Sequence, residues 1–142
     1  MLSVMLVDDD PTEGELLSAA VAQEHLRVRV DQVLDGEAAL RELEQRAARH
    51  ALPDLILLDI NLPRLDGHGF LERYPNREVP IVAYSSSTLR SDVDRMRRSA
   101  CSAYVEKPRD FVGLRAFLQS LREWFLDGRP LPSDLSRDGS AG

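Results

Sequence analysis

Cysteine and lysine are almost missing from this chain of 142 residues, which has one of each, Cys101 and Lys107. A single thiol excludes an internal disulfide and any cysteine-rich metal centre. All the other basic residues, of 18 in total, are arginine, so Lys107 is a rarity in a chain that is not short of cations. Long apolar runs are missing as well, and with them any expected membrane span. No basic region precedes an apolar stretch at the N-terminus, so no signal peptide is expected, and the chain is placed in the cytoplasm. Excess positive charge is also absent. The formal net charge of -6 argues against a face for duplex nucleic acid.

With 43% apolar residues, the chain has the size and composition of one globular domain with a real core. Leu2 to Val7 reads as a buried strand. Asp10, Pro11 and Glu13 then supply an N-cap, a first-turn proline and capping-box spacing for a helix with Leu16, Leu17, Ala20 and Val21 on one face. Val28 to Leu34 is a weaker strand, interrupted by Arg29 and Asp31, and is expected near a sheet edge. Asp35-Gly36 opens a second helix carrying Ala39, Leu40, Leu43 and Ala47. "PDLILLD", Pro53 to Asp59, holds an unalternating apolar run of the kind found in central parallel strands. A loop, a short helix near Gly69 to Tyr74 and a fourth strand, Val79 to Ser87, follow. A helix with Leu89, Val93 and Met96 on its inner face is expected next, then a fifth strand over Ser102 to Pro108. The last helix, Asp110 to Leu126, is expected to pack Phe111, Leu114, Leu118, Leu121 and Phe125. Residues 128–142 are rich in Gly, Pro and Ser and read as a disordered tail.

Five alternations of strand and helix predict an open, doubly wound parallel sheet, with ligands bound beyond the carboxyl ends of its strands. Asp8 and Asp9 end the first strand, Asp59 the third, Ser85 the fourth and Lys107 the fifth. Carboxylates gathered at one edge need a partner to stay ionised together, and a hard divalent cation such as Mg2+ suits them. A carboxylate beside Mg2+ and a lysine is also a competent nucleophile toward phosphorus.

"MLVDDDP", "PDLILLDINLPRLDG", "PIVAYSS" and "AYVEKP", in that order, resemble the receiver domain of two-component response regulators over roughly residues 2–126. The resemblance implies a flavodoxin-like (βα)5 fold with strand order 2-1-3-4-5, a receiver domain over residues 1–127, and Asp59 as phosphoacceptor. It implies Mg2+ held by Asp59, by Asp9 directly, by Asp8 through water and by the backbone carbonyl of Asn61. Ser85 becomes the switch hydroxyl, with Ser86 as the alternative, and Lys107 its ion-pair partner. Tyr104 becomes the aromatic that turns inward on switching, and the Lys107–Pro108 peptide bond is expected to be cis. The surface formed by the fourth helix, fifth strand and last helix is the expected output face. Ala100 stands where such families often carry glycine.

Two rival readings differ in class. Asp8-Asp9-Asp10 after a strand also resembles the nucleophile motif of haloacid-dehalogenase-type phosphatases, with Asp8 as nucleophile, but Asp59 is then idle and a second acidic pair is missing. A pseudo-receiver, binding partners without phosphorylation, is the other. Too few residues follow the last helix for an effector domain, so the expectation is a single-domain regulator that catalyses only its own phosphorylation and dephosphorylation. Its expected partner is a sensor histidine kinase, and "FLQSLREWFL" also resembles regulators that partner bacterial phytochromes. Phe117 and Trp124 are expected to share a flanking face that forms a homodimer.

Overall fold

A computed structural model describes residues 1–60, 62, 65, 67–74, 79–85 and 103–127. The expected helix between the fourth and fifth strands, Ala100, Asn61, Ser86 and the expected tail all lie outside the described residues. The strands are β1 (Leu2–Val7), β2 (Val28–Val33), β3 (Leu55–Leu58), β4 (Ile81–Ser85) and β5 (Ala103–Glu106), with helices α1 (Pro11–Gln23), α2 (Gly36–Ala48), α3 (Gly67–Arg73) and α4 (Phe111–Asp127). They build one parallel sheet in the order β2-β1-β3-β4-β5, which is the flavodoxin-like receiver topology.

The short apolar runs explain the layering. Successive strand residues point to opposite faces, and a strand covered on both faces can be apolar throughout. Leu2, Val4 and Leu6 of β1 join Leu55, Leu57, Val82 and Tyr84 in the layer beneath α1 and α4. Met5 and Val7 join Ile56, Leu58, Ile81 and Ala83 in the opposite layer, with Ala39 and Leu43 of α2 and Phe70 of α3. The polar interruptions in β2 fit its place at the edge, where only Val28 of its six residues is buried.

Carboxylate caps start three of the helices. Asp10 accepts from the Thr12 amide at 3.0 Å, Asp35 from Ala38 at 2.7 Å and Asp110 from Gly113 at 2.7 Å. Each satisfies a first-turn N–H that has no partner within its helix. The capping box expected of Glu13 does not close, because the Asp10 amide donates to Asp8 Oδ1 at 3.0 Å instead.

In α4 the core stripe departs from expectation, and so does the dimer face. Leu114, Phe117, Leu118 and Leu121 are the buried residues, whereas Phe111 and Phe125 are 36% and 38% exposed. Phe117 is therefore core and not a flanking interface residue. Its ring stacks on Tyr84 with centroids 5.1 Å apart, and that β4 aromatic gives it a face that no pattern within the helix reveals. Phe125 sits in the last turn, where it borders a groove with Leu2 and Val28 rather than being covered. Trp124 is half-buried against the same layer. Leu16 and Ala47, expected on inner faces, are exposed.

Truncating Phe117 to alanine is expected to cost about 3–5 kcal/mol, as for other buried aromatics. Phe125→Ala should cost about 1 kcal/mol or less. Urea midpoints of the two variants, at equal slope, measure the difference.

Candidate functional site at the carboxyl edge of the sheet

The sheet ladder extends one residue beyond β1 and β3, and this places the acids. The Asp8 amide donates to Val33 O at 3.0 Å, and the Asp59 amide donates to Val7 O at 2.9 Å. Both carboxylates therefore leave the sheet from backbone that is already paired. On the other side, the Lys107 amide donates to Ser85 O at 2.8 Å, tying the end of β5 to the end of β4.

From there Lys107 reaches back across the edge. Its Nζ donates to Asp8 Oδ2 at 2.6 Å and lies 3.5 Å from Asp59 Oδ2. Asp8 is fully buried, and a bare buried carboxylate is costly. Here both of its oxygens are engaged, Oδ1 by the Asp10 N–H and Oδ2 by the ammonium. Asp59 is 6% exposed and Ser85 is buried, while Asp9 is open to solvent. Asp8, Asp9 and Asp59 each bring a carboxylate oxygen within 4.8 Å of the others.

The structure thus gathers Asp8, Asp9, Asp59 and Lys107 into one cluster, with Ser85 on the adjoining strand end. Tyr104 takes its place in β5 in register with Ala83, but its side chain lies outside the described residues. The Lys107–Pro108 peptide bond is trans, which corrects the cis expectation. A prolyl amide prefers trans by about 0.5–1 kcal/mol unless its surroundings select cis, and trans geometry already delivers Lys107 to Asp8.

Two neighbours were not read from sequence as part of this site. Glu13, in the first turn of α1, has a carboxyl held above its ordinary range. Burial is the main cause; Lys107 pulls the other way, and the charges of Asp8, Asp10 and Asp59 add to the rise. Gln32, at the end of β2, donates from Nε2 to Asp8 O at 2.9 Å and to Asp10 O at 2.8 Å. The strand order carried the only available signal, since β2 lies beside β1 and its last residues share the same edge.

Lys107 feels opposing influences. Burial alone would lower its pKa, but the hydrogen bond to Asp8 and the charges of Asp59, Asp8 and Glu13 raise it above the usual lysine value. The ammonium therefore stays charged at neutral pH. Tyr84, whose ring lies 6.0 Å from Lys107 Nζ, has its phenol pushed up by burial and then by Glu13 and Asp8.

Three clustered carboxylates against one ammonium leave two formal negative charges over. The donors are all oxygen and the separation suits one ion, so the residues fit a hard divalent cation. Among the described residues, no helix is long and apolar enough to cross a membrane.

Glu13 makes a pH prediction. A group whose folded pKa is raised favours the folded state below its unfolded value, near 4.5, and that advantage is lost as pH rises through the folded value. Glu13→Gln should therefore raise the melting temperature of the metal-free chain at pH 7. The gain should shrink to nothing below about pH 4, which thermal melts at both pH values would show.

The same fold occurs in known proteins. The family model described as "Response regulator receiver domain" matches residues 4–119. The chain is 30% identical over 132 residues to the polar-differentiation response regulator DivK of Brucella anthropi, an alignment covering 88% of this chain and 97% of DivK. It superposes on the phosphorylated cyanobacterial phytochrome response regulator RcpA with a TM-score of 0.77 at 30% identity, covering 93% of this chain and 99% of RcpA. For the Mn2+-bound form of the response regulator Rcp1 the TM-score is 0.72 at 26% identity, with coverage of 93% and 99%.

Proposed function

This chain belongs to the response regulator receiver domain family, and on that premise we propose that it accepts a phosphoryl group on Asp59 from a sensor histidine kinase. The observation that carries this reading is Lys107 Nζ, in contact with buried Asp8 at 2.6 Å and set 3.5 Å from the Asp59 carboxylate. A phosphoryl oxygen arriving at Asp59 meets that ammonium without any rearrangement of the backbone. In the transfer, an Asp59 oxygen bonds to phosphorus, the bond from phosphorus to the kinase histidine nitrogen breaks, and the imidazole takes a proton from water.

Asp8, Asp9, Asp59 and the Asn61 carbonyl are the proposed holders of Mg2+. Bound there, the ion supplies charge neutralisation for the phosphoryl oxygens. Asp59 is the nucleophile, presented at the end of a central strand. Lys107 pairs with the incoming negative charge, nearly two units at neutral pH. Ser85 donates its hydroxyl to a phosphoryl oxygen, and Tyr104 follows it inward. That closure favours one of two packings around β4, β5 and α4, and this is the output.

The phosphatase alternative needs Asp8 as a free nucleophile. Both Asp8 oxygens are already engaged and the residue is fully buried, so nothing favours it. The proposed kinase partner is of the phytochrome class, supported by the likeness to RcpA along nearly the whole of both chains. A homodimer contact is placed on the exposed end of α4, at Trp124, Phe125 and Leu126, instead of on Phe117.

A small phosphodonor such as acetyl phosphate with Mg2+ should label Asp59, and peptide mapping should find the acyl-phosphate there. Asp59→Asn should abolish the label. Asp8→Asn and removal of Mg2+ with chelator should each slow labelling by about 100-fold or more. Label on Asp8, with steady release of phosphate, would contradict the proposal. Sedimentation of Leu126→Glu beside wild type tests the dimer, with a shift to monomer expected.

A further inference from the structure

Gln32 is used by nothing described so far, yet its amide nitrogen holds two backbone carbonyls at once. It donates to Asp8 O at 2.9 Å and Asp10 O at 2.8 Å, so the bonds straddle Asp9. The same turn is bound from within, by the Asp10 amide to Asp8 Oδ1 at 3.0 Å and by the Glu13 amide to Asp10 O at 3.0 Å. Asp9 is the solvent-exposed member of the acidic cluster, and among the described bonds none involves its own side chain. What fixes Asp9 is the turn on either side of it.

Space for this arrangement comes from Gly14 on α1. A Cβ built there would lie 2.2 Å from Gln32 Oε1, 3.1 Å from its Cδ and 3.3 Å from its Cβ. Glycine within a helix is costly compared with alanine, by about 1 kcal/mol. Its presence here is explained by the amide that occupies the place of a side chain. Since Oε1 is the far end of a flexible chain, Gly14→Ala would be accommodated by expelling the amide, and the two carbonyl bonds would go with it.

We propose that Gln32 is a positioning residue for the cation site, a clamp on the Asp8–Asp10 turn that holds Asp9 at its place in the cluster, and that Gly14 exists to admit it. The inference rests on the cation reading of Asp8, Asp9 and Asp59. Residues that orient ligands without touching the metal commonly change its affinity by about 10–100-fold. Gln32 acts in this way on backbone rather than on a ligating atom.

The test uses the full chain as wild type, Gln32→Met, Gly14→Ala and the double variant. Gln32→Met keeps the bulk and loses both donors, so packing is separated from clamping. Mn2+ alone is the probe, with free ion counted by electron paramagnetic resonance, and amide hydrogen exchange is measured on the metal-free chain. Each single variant should raise the Mn2+ Kd about tenfold. The double variant should be no worse than either single, because both remove the same clamp. Exchange at the Asp10 and Glu13 amides should quicken in all three while the β1 and β3 amides stay protected. A Kd in Gln32→Met within twofold of wild type, or effects of the two variants that multiply, overturns the proposal. Unchanged exchange with weakened binding overturns the clamp alone. A wild-type chain that takes up no Mn2+ overturns the cation site itself and the claim made on it here.

Discussion

One ammonium sets the conditions for the whole carboxyl edge of this sheet. Lys107 touches Asp8 at 2.6 Å and stands 3.5 Å from Asp59, and without it two buried carboxylates would face each other at the end of adjacent strands. Burying such groups unpaired would cost more than a domain of this size can spare. The sheet is what makes the pairing possible. Parallel strands in the order β2-β1-β3-β4-β5 bring all their carboxyl ends to one edge, so a lysine 99 residues away from Asp8 in sequence becomes its neighbour.

The compensation is incomplete, and that incompleteness suits a switch. Two negative charges are left over, Glu13 sits nearby with a raised pKa, and Asp9 is open to water. A site in this state suits a divalent cation, and under the proposed function a phosphoryl group would be accepted only with that cation in place. The lysine need not change its charge, because its neighbours hold it protonated at neutral pH. It need only change which oxygens it serves. In the proposed function, phosphorylation would redistribute one ammonium among competing anions, and β4 and β5 would register the change because Lys107 and Ser85 are joined through their backbones.

Much of this was legible in the sequence, and the reasons are physical. Short, fully apolar strands such as Leu55–Leu58 announce a two-sided sheet, and acids directly after them announce the carboxylate cluster at its edge. Caps at Asp10 and Asp35 could be read because N-cap chemistry is local. What could not be read depended on partners distant in the chain. Phe117 belongs to the core because Tyr84 receives it, and Asp10 turns its amide to Asp8 rather than to Glu13. Gln32 lies in an edge strand and carries no local signal of its bonds to Asp8 and Asp10. The Lys107–Pro108 bond keeps the trans state that a prolyl amide prefers, and the dipeptide alone does not encode a departure from it.

The central claim is that Asp59, Ser85 and Lys107 form one anion-receiving unit that works with a divalent cation. Beryllium trifluoride, a tetrahedral mimic of a phosphoryl group on a carboxylate, tests it directly when titrated with Mg2+ into the 15N-labelled chain and followed by amide NMR. The account predicts saturable shifts at Asp59, Ser85, Lys107 and the Asp8–Asp10 turn, absent without Mg2+ and absent in Asp59→Asn. Shifts that persist in Asp59→Asn, or that spare Ser85 and Lys107, would contradict it.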